Sequence, residues 1–213
     1  MKTDDLIAAL AADTAPTGAG TLRRRAGLAL IPAALLILAG VILSLGLRPD
    51  LMVAMGGPTF WAKAAYTAAL ACAGFWLLDR AGRPGADVRV PLAVFGAVVV
   101  IAILSGAVSL MTTPEAARVE ALMGQSARVC PTNIAGLSLL AAPLILFAVR
   151  GFAPLRPALA GAAAGLMLGG LAATLYGLHC PEHTAAFVAV WYTLGMAIPV
   201  VVGAVIGRWI WRW

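Results

Sequence analysis

Apolar residues run through this chain in six long stretches, broken by short segments that collect nearly all of the charge. The stretches cover residues 26–47, 60–79, 90–111, 131–150, 157–178 and 184–207. A helix needs about 20 mostly apolar residues to cross the hydrocarbon core of a bilayer. The pattern therefore predicts an all-α membrane protein: six transmembrane helices over residues 26–213, preceded by a short N-terminal segment, 1–25. The charges that touch a stretch are Lys63 near the start of the second, and Asp79 and Arg150 at the ends of two others. The first stretch has a basic lead-in, Arg23-Arg24-Arg25, as a signal peptide would. It is longer than a signal core and no small-x-small cleavage site follows it, so it reads as a retained span.

Two shorter patterns lie outside the stretches. In residues 3–12, Thr3 is placed to cap a helix and Asp4 and Asp5 fall in its first turn, where the helix dipole favours acids. Leu6, Ile7 and Leu10 then form one apolar stripe. Such a helix is marginal alone and would be ordered by a groove on a partner. Residues 14–20 (TAPTGAG) read as a flexible linker. The second pattern is Thr113-Pro114-Glu115 followed by Val119, Leu122 and Met123, ending at Gly124. It predicts a short helix on the membrane face.

Composition agrees: 62% of the 213 residues are apolar and 11% charged, with a mean hydropathy of +0.96. Soluble domains carry about 25% charged residues, and disorder requires low hydrophobicity. The net charge of +6 resolves into a topology. With the N-terminus inside, Lys2, Arg23, Arg24, Arg25, Arg80, Arg83, Arg89, Arg150, Arg156, Arg208 and Arg212 are cytoplasmic. Only Arg48, Arg118 and Arg128 are outside. That is the positive-inside distribution, with both termini cytoplasmic. Spread over four segments, these arginines do not form the basic stripe of a nucleic-acid binder.

Small residues four apart, Gly161-Gly165-Gly169 and Gly203-Gly207, would let the fifth and sixth spans approach closely. Pro32, Pro143 and Pro199 fall inside spans and are expected to kink them. Trp209, Trp211 and Trp213 suggest an interfacial anchor.

The reactive residues converge on the outer side. Both histidines lie in His179-Cys180-Pro181-Glu182-His183, and Cys130-Pro131 opens the fourth span. Proline favours the first helical position, so each cysteine is expected near an N-cap, where the dipole stabilises a thiolate. Cys72, mid-span, reads as a small packing residue. Three readings of the outer cluster remain open. They are a redox-active Cys130–Cys180 pair, a zinc- or copper-type site of Cys130, Cys180, His179 and His183 with Glu182 near, and passive structural residues. Lys63 either snorkels to the interface beside Trp61 or pairs with Glu182 or a thiolate.

These residues also carry a resemblance. Asp4-Asp5-Leu6-Ile7-Ala8-Ala9-Leu10, Phe60-Trp61-Ala62-Lys63-Ala64-Ala65-Tyr66, Gly124-Gln125-Ser126 before Cys130, and the HCPEH segment, set among six spans, resemble the NrsF family of bacterial inner-membrane anti-sigma factors. The resemblance implies a non-enzymatic regulator. Residues 1–25 would hold an extracytoplasmic-function sigma factor through Asp4, Asp5, Leu6, Ile7, Leu10 and Asp13. Cys130 and Cys180 would sense oxidative or metal stress at the periplasmic side and release it, with no cofactor beyond a metal ion at the outer cluster. The competing readings are a membrane thiol oxidoreductase, which lacks the usual Cys-x-x-Cys, and a transporter. A transporter would have to build its path from neutral groups such as Thr67, Tyr66, Ser105, Ser138, Thr174 and Tyr192.

Overall fold

The computed structural model describes residues 3–12 and 19–211. Asp13, most of the 14–20 linker, Lys2, Arg212 and Trp213 lie outside the described residues, as does the side chain of Leu10. Among the described residues every regular element is helical: α1 (Thr3–Ala12), α2 (Ala19–Gly40), α3 (Leu51–Met55), α4 (Pro58–Ala81), α5 (Arg89–Thr112), α6 (Glu115–Met123), α7 (Cys130–Ala148), α8 (Pro157–Tyr176), α9 (Ala185–Phe187) and α10 (Thr193–Ile210). Wider π-helical turns extend α2 over Val41–Leu45 and join α9 to α10 over Val188–Tyr192. The short helix after Pro114 is α6, and residues 3–12 form α1, as the patterns predict.

Among the described residues five helical stretches are long and apolar enough to cross a membrane: Arg23–Leu45, Arg89–Thr112, Cys130–Ala148, Pro157–Tyr176 and Ala185–Ile210. The remaining long helix, α4, has 24 residues. At 1.5 Å per residue that reaches about 36 Å, but Lys63, Asp79 and Arg80 dilute its apolarity. The first long helix begins at Ala19, earlier than residue 26, so the Arg23–Arg25 cluster is helical and continuous with the span. Pro32, Pro143 and Pro199 sit inside α2, α7 and α10, each of which continues through its proline.

Helix α8 is the centre of the bundle. Two thirds of its apolar window (67%) is buried, against 6% for α5. Lipid is as apolar as leucine, so buried area cannot drive these helices together; close backbone approach and interhelical hydrogen bonds must. Both are present. A Cβ on Gly161 or Gly203 would run into the other's carbonyl, one on Gly165 into that of Pro199, and one on Gly207 into that of Pro157. The small-residue motifs therefore form the α8–α10 contact. Gly74 and Gly170 seat α4 on α8 in the same way. The Thr174 hydroxyl donates to Thr67 at 2.8 Å between α8 and α4, and Tyr66 and Thr193 pair at 2.7 Å between α4 and α10. These two pairs hold helices together, whereas Ser105 and Ser138 donate to carbonyls four residues back in their own helices. Helix α2 packs along α7, burying Ala33, Ile37 and Val41.

Two packing expectations change. Cys72 faces outward from the bundle, not into its core. Of the terminal tryptophans, Trp209 is exposed but Trp211 is buried against the bundle, because α10 ends over the α7–α8 groove.

Candidate functional site

The start of α4, the start of α7 and the end of α8 meet around the HCPEH segment. This segment leaves α8 through Cys180, whose N–H donates to the Tyr176 carbonyl at 3.0 Å. It runs irregularly to Thr184, which caps α9 by accepting from the Phe187 N–H at 3.3 Å. The expectation that both cysteines stand at helix N-termini holds for Cys130 alone. Cys130 is the first residue of α7, with Pro131 in the first turn. Cys180 lies four residues before the cap, so the dipole of the last span does not act on it directly.

The two thiols are nonetheless brought together. Both are fully buried, no disulfide joins them, and the Cys130 thiol acts on Cys180 to favour its anion. The Cys180 thiol is held well below its ordinary value. The Cys130 hydrogen bond is the largest cause, and the hydroxyl of Tyr192, the charge of Lys63 and the Glu182 N–H add to it against the cost of burial. Tyr192 faces the sulfur without a fully formed hydrogen bond. Burial also corrects the expectation of readily reactive thiols: a thiolate-favouring environment is present, but it is closed.

Lys63 supplies the cation, and it does not snorkel. It is 5% exposed; its ammonium donates to the carbonyls of Cys180 at 3.0 Å and Glu182 at 2.9 Å and lies 5.5 Å from the Tyr192 ring centre. Three hydrogen-bond donors on one side chain outweigh the pull of the interface, because the irregular loop has carbonyls that no helix satisfies. The alternative to snorkelling, a pairing with Glu182, is met only through the Glu182 main-chain carbonyl and is not a pairing of charges.

The Glu182 carboxylate turns the other way. It accepts from the N–H groups of Gln125 (2.8 Å) and Ser126 (3.1 Å) and from the Ser126 hydroxyl (3.1 Å). Gly124, at φ +51°, makes the turn that presents these donors, and a Cβ there would meet the carboxylate. This contact explains why Gly124-Gln125-Ser126 and HCPEH act as one motif across some 56 residues. Ser126 also places its hydroxyl 3.8 Å from the Cys180 sulfur and its carbonyl 2.8 Å from the Cys130 N–H. Helix α6 is fastened over the segment by Thr184, donating to the Ala121 carbonyl at 2.6 Å, and by Trp191, donating to that of Leu122 at 2.9 Å.

The histidines part company. His179 Nδ1–H donates to the Gly46 carbonyl at 2.9 Å, tying the segment to the end of α2, while His183 is exposed beside α6. Among the described residues no three His, Cys, Asp or Glu side chains come close enough to hold a metal ion. The four-ligand set Cys130, Cys180, His179 and His183 is therefore not assembled, because His179 points to α2 and His183 to the surface.

Sequence reasoning passed over Arg48. Its guanidinium pairs with Asp50 at 2.7 Å, which holds the Asp50 carboxyl below its ordinary value. It also donates to the Cys180 carbonyl at 3.4 Å, and its N–H to that of Leu178 at 3.2 Å. Its only sequence signal was being an outer arginine just after a span. Ser126 and Tyr192 were equally unmarked as thiol neighbours.

The family described as "Negative regulator of sigma F", NrsF, matches residues 10–213. The chain is 46% identical over 222 residues to the anti-sigma-F factor NrsF of Caulobacter vibrioides and 38% identical over 217 residues to the probable anti-sigma-F factor NrsF of Azospira oryzae. Both alignments cover the whole of each chain. No solved structure matches.

Proposed function

The chain belongs to the NrsF family, a regulatory and non-enzymatic class, and we propose that it is a membrane anti-sigma factor with a thiol sensor. The bundle crosses the bacterial inner membrane six times, with α4 as its second span and both termini in the cytoplasm. Residues 1–25 bind an extracytoplasmic-function sigma factor. Leu6, Ile7 and Leu10 act as apolar anchors, and Asp4, Asp5 and Asp13 face basic residues of the partner. Exposure of Leu6 and Ile7 on α1 supports this reading, because such a stripe has no use in water without a partner.

The observation that carries the sensor is the buried Cys130–Cys180 thiol pair held by Lys63, Ser126 and Tyr192. Hydrogen peroxide that reaches it takes two electrons: the Cys180 thiolate attacks one oxygen to form a sulfenic acid, and the hydroxide that leaves takes up the proton the thiol had released and becomes water. The Cys130 thiol then displaces a second water, leaving a disulfide. The thiolate charge facing Lys63 is gone and the Cys180 backbone is drawn toward α7. Two routes lead from there to the tail, and both pass through α2. Cys130 begins α7, which packs along α2, while Arg48 and His179 tie the end of α2 to the sensing segment.

Full-length protein carrying Leu6→Asp and Leu10→Asp should lose a sigma factor that the wild type co-purifies. Capture of the same sigma factor by both proteins would overturn the tail reading. Cys130→Ser/Cys180→Ser protein should retain its sigma factor after peroxide treatment that releases it from the wild type. Equal release would overturn the sensor.

A further inference from the structure

The end of the bundle opposite the thiols carries a second built feature. A cleft of about 250 Å³ lies between the end of α4, the 82–88 loop, the start of α5 and the start of α8, lined by Arg80, Arg83, Arg89 and Arg156 with Leu155 and Leu159 beside them. The acidic residues near it are already engaged. Asp79 pairs with Arg83, and Asp87 accepts the Arg89 N–H at 2.9 Å. Among the described residues, Arg80, Arg89 and Arg156 have no carboxylate partner.

We propose that this cleft binds the phosphodiester headgroup of an anionic phospholipid. Guanidinium forks match phosphate oxygens geometrically, and the first-turn N–H groups of α8 add partial positive charge at the same place. The cleft sits where three long helices end, the level of the headgroups if the bundle spans a bilayer, which is the one part of the functional reading the inference rests on. Leu155, 73% exposed, stands at its rim where the glycerol and acyl chains would leave. An acidic protein segment would need polar neighbours at that rim, so the apolar leucines favour a lipid. The positive-inside rule accounts for arginines at this end; it does not account for their gathering around one cavity with their acids paired off. The cleft is also built from α4 and α8, the helices that hold the thiol segment at the other end through Lys63 and Tyr176.

The test uses purified full-length protein in detergent. Retained lipid is counted by native mass spectrometry with phosphatidylglycerol or phosphatidylcholine added, and thermal unfolding is followed in parallel with inorganic phosphate as a separate arm. Phosphatidylglycerol should be retained over phosphatidylcholine. Each guanidinium removed should weaken retention about fivefold, so Arg80→Gln/Arg156→Gln loses most of it, whereas Arg128→Gln at the other end does not. Equal retention of both lipids, no change in the double variant, or stabilisation by inorganic phosphate equal to that by lipid would each overturn the proposal. Both arginines are exposed, so folding should survive; Arg89→Gln/Arg156→Gln provides a second variant if it does not. Sigma capture in the same preparation separates the two readings, since its loss would strike the anti-sigma function and leave the lipid result standing.

Discussion

The ammonium of Lys63, on α4, donates to the main-chain carbonyl of Cys180 at 3.0 Å, 117 positions along the chain. A buried lysine is costly unless its donors are used and its charge is answered. Here two loop carbonyls take the donors, and the thiol beside them is tuned toward the anion. A cation placed in an apolar helix thereby organises the irregular segment that carries the thiol.

Lys63→Met should therefore do two things. It leaves the Glu182 carbonyl without a donor and the Cys180 carbonyl with only the longer Arg48 contact, at a cost of about 1–2 kcal/mol, seen as a lowered unfolding midpoint. It also removes a charge that favours the Cys180 thiolate, so the pH midpoint of the Cys180 thiolate absorbance, read as the difference against Cys180→Ser, should rise. A midpoint unchanged from wild type would show that Lys63 acts on the backbone alone.

The depressed Cys180 value fixes the sign of a pH effect. The folded state binds the thiolate better than the unfolded chain does, so this contribution to stability is complete above the ordinary thiol value of 9.0. It declines as pH falls below that value and is gone below the folded-state one. Cys180→Ser should abolish this component of the pH dependence, measured as the difference between the two unfolding profiles.

Gly124→Ala puts a methyl group against the Glu182 carboxylate at a left-handed position, φ +51°. The expected loss is about 1–3 kcal/mol, with α6 released first. Limited proteolysis should cut near residues 115–128 in the variant before the wild type. Glu182→Gln, which keeps an acceptor of the same shape, should cost less.

Accessibility should separate the three cysteines. Cys72 faces outward and Cys130 and Cys180 are sealed. A membrane-permeant maleimide should label Cys72 in the folded protein and the other two only after denaturation. Rapid labelling of Cys130 in the native state would contradict the closed site.

Gly161→Leu should prevent α8 and α10 from meeting and abolish accumulation of folded protein. Gly136→Ala, where a Cβ meets nothing within 4 Å, should be neutral in unfolding experiments.

Much of this was legible in advance. Apolar runs of bilayer length and Pro-opened helices are local properties, so they placed the helices, α1 and α6 included. The Gly161–Gly207 motifs pointed to a close contact that α8 and α10 then made. The family was also readable. Lys63 was misjudged because a lysine near a span end ordinarily reaches water, and nothing local announces two carbonyls waiting on another loop. The Cys180 N-cap was misplaced because the proline after it marks a turn here, with Thr184 taking the cap.

The sequence alone determined the helices, their apolar lengths and the charge asymmetry between the two ends, since each depends on residues a few positions apart. Tertiary structure alone decided that Lys63 is buried, that Glu182 turns to Gly124-Gln125-Ser126, that His179 is spent on α2, and that the two thiols meet. Those outcomes depend on which unsatisfied backbone groups from distant segments arrive at the same place. In a bundle this apolar, every such group must find its partner from whatever the packing brings near.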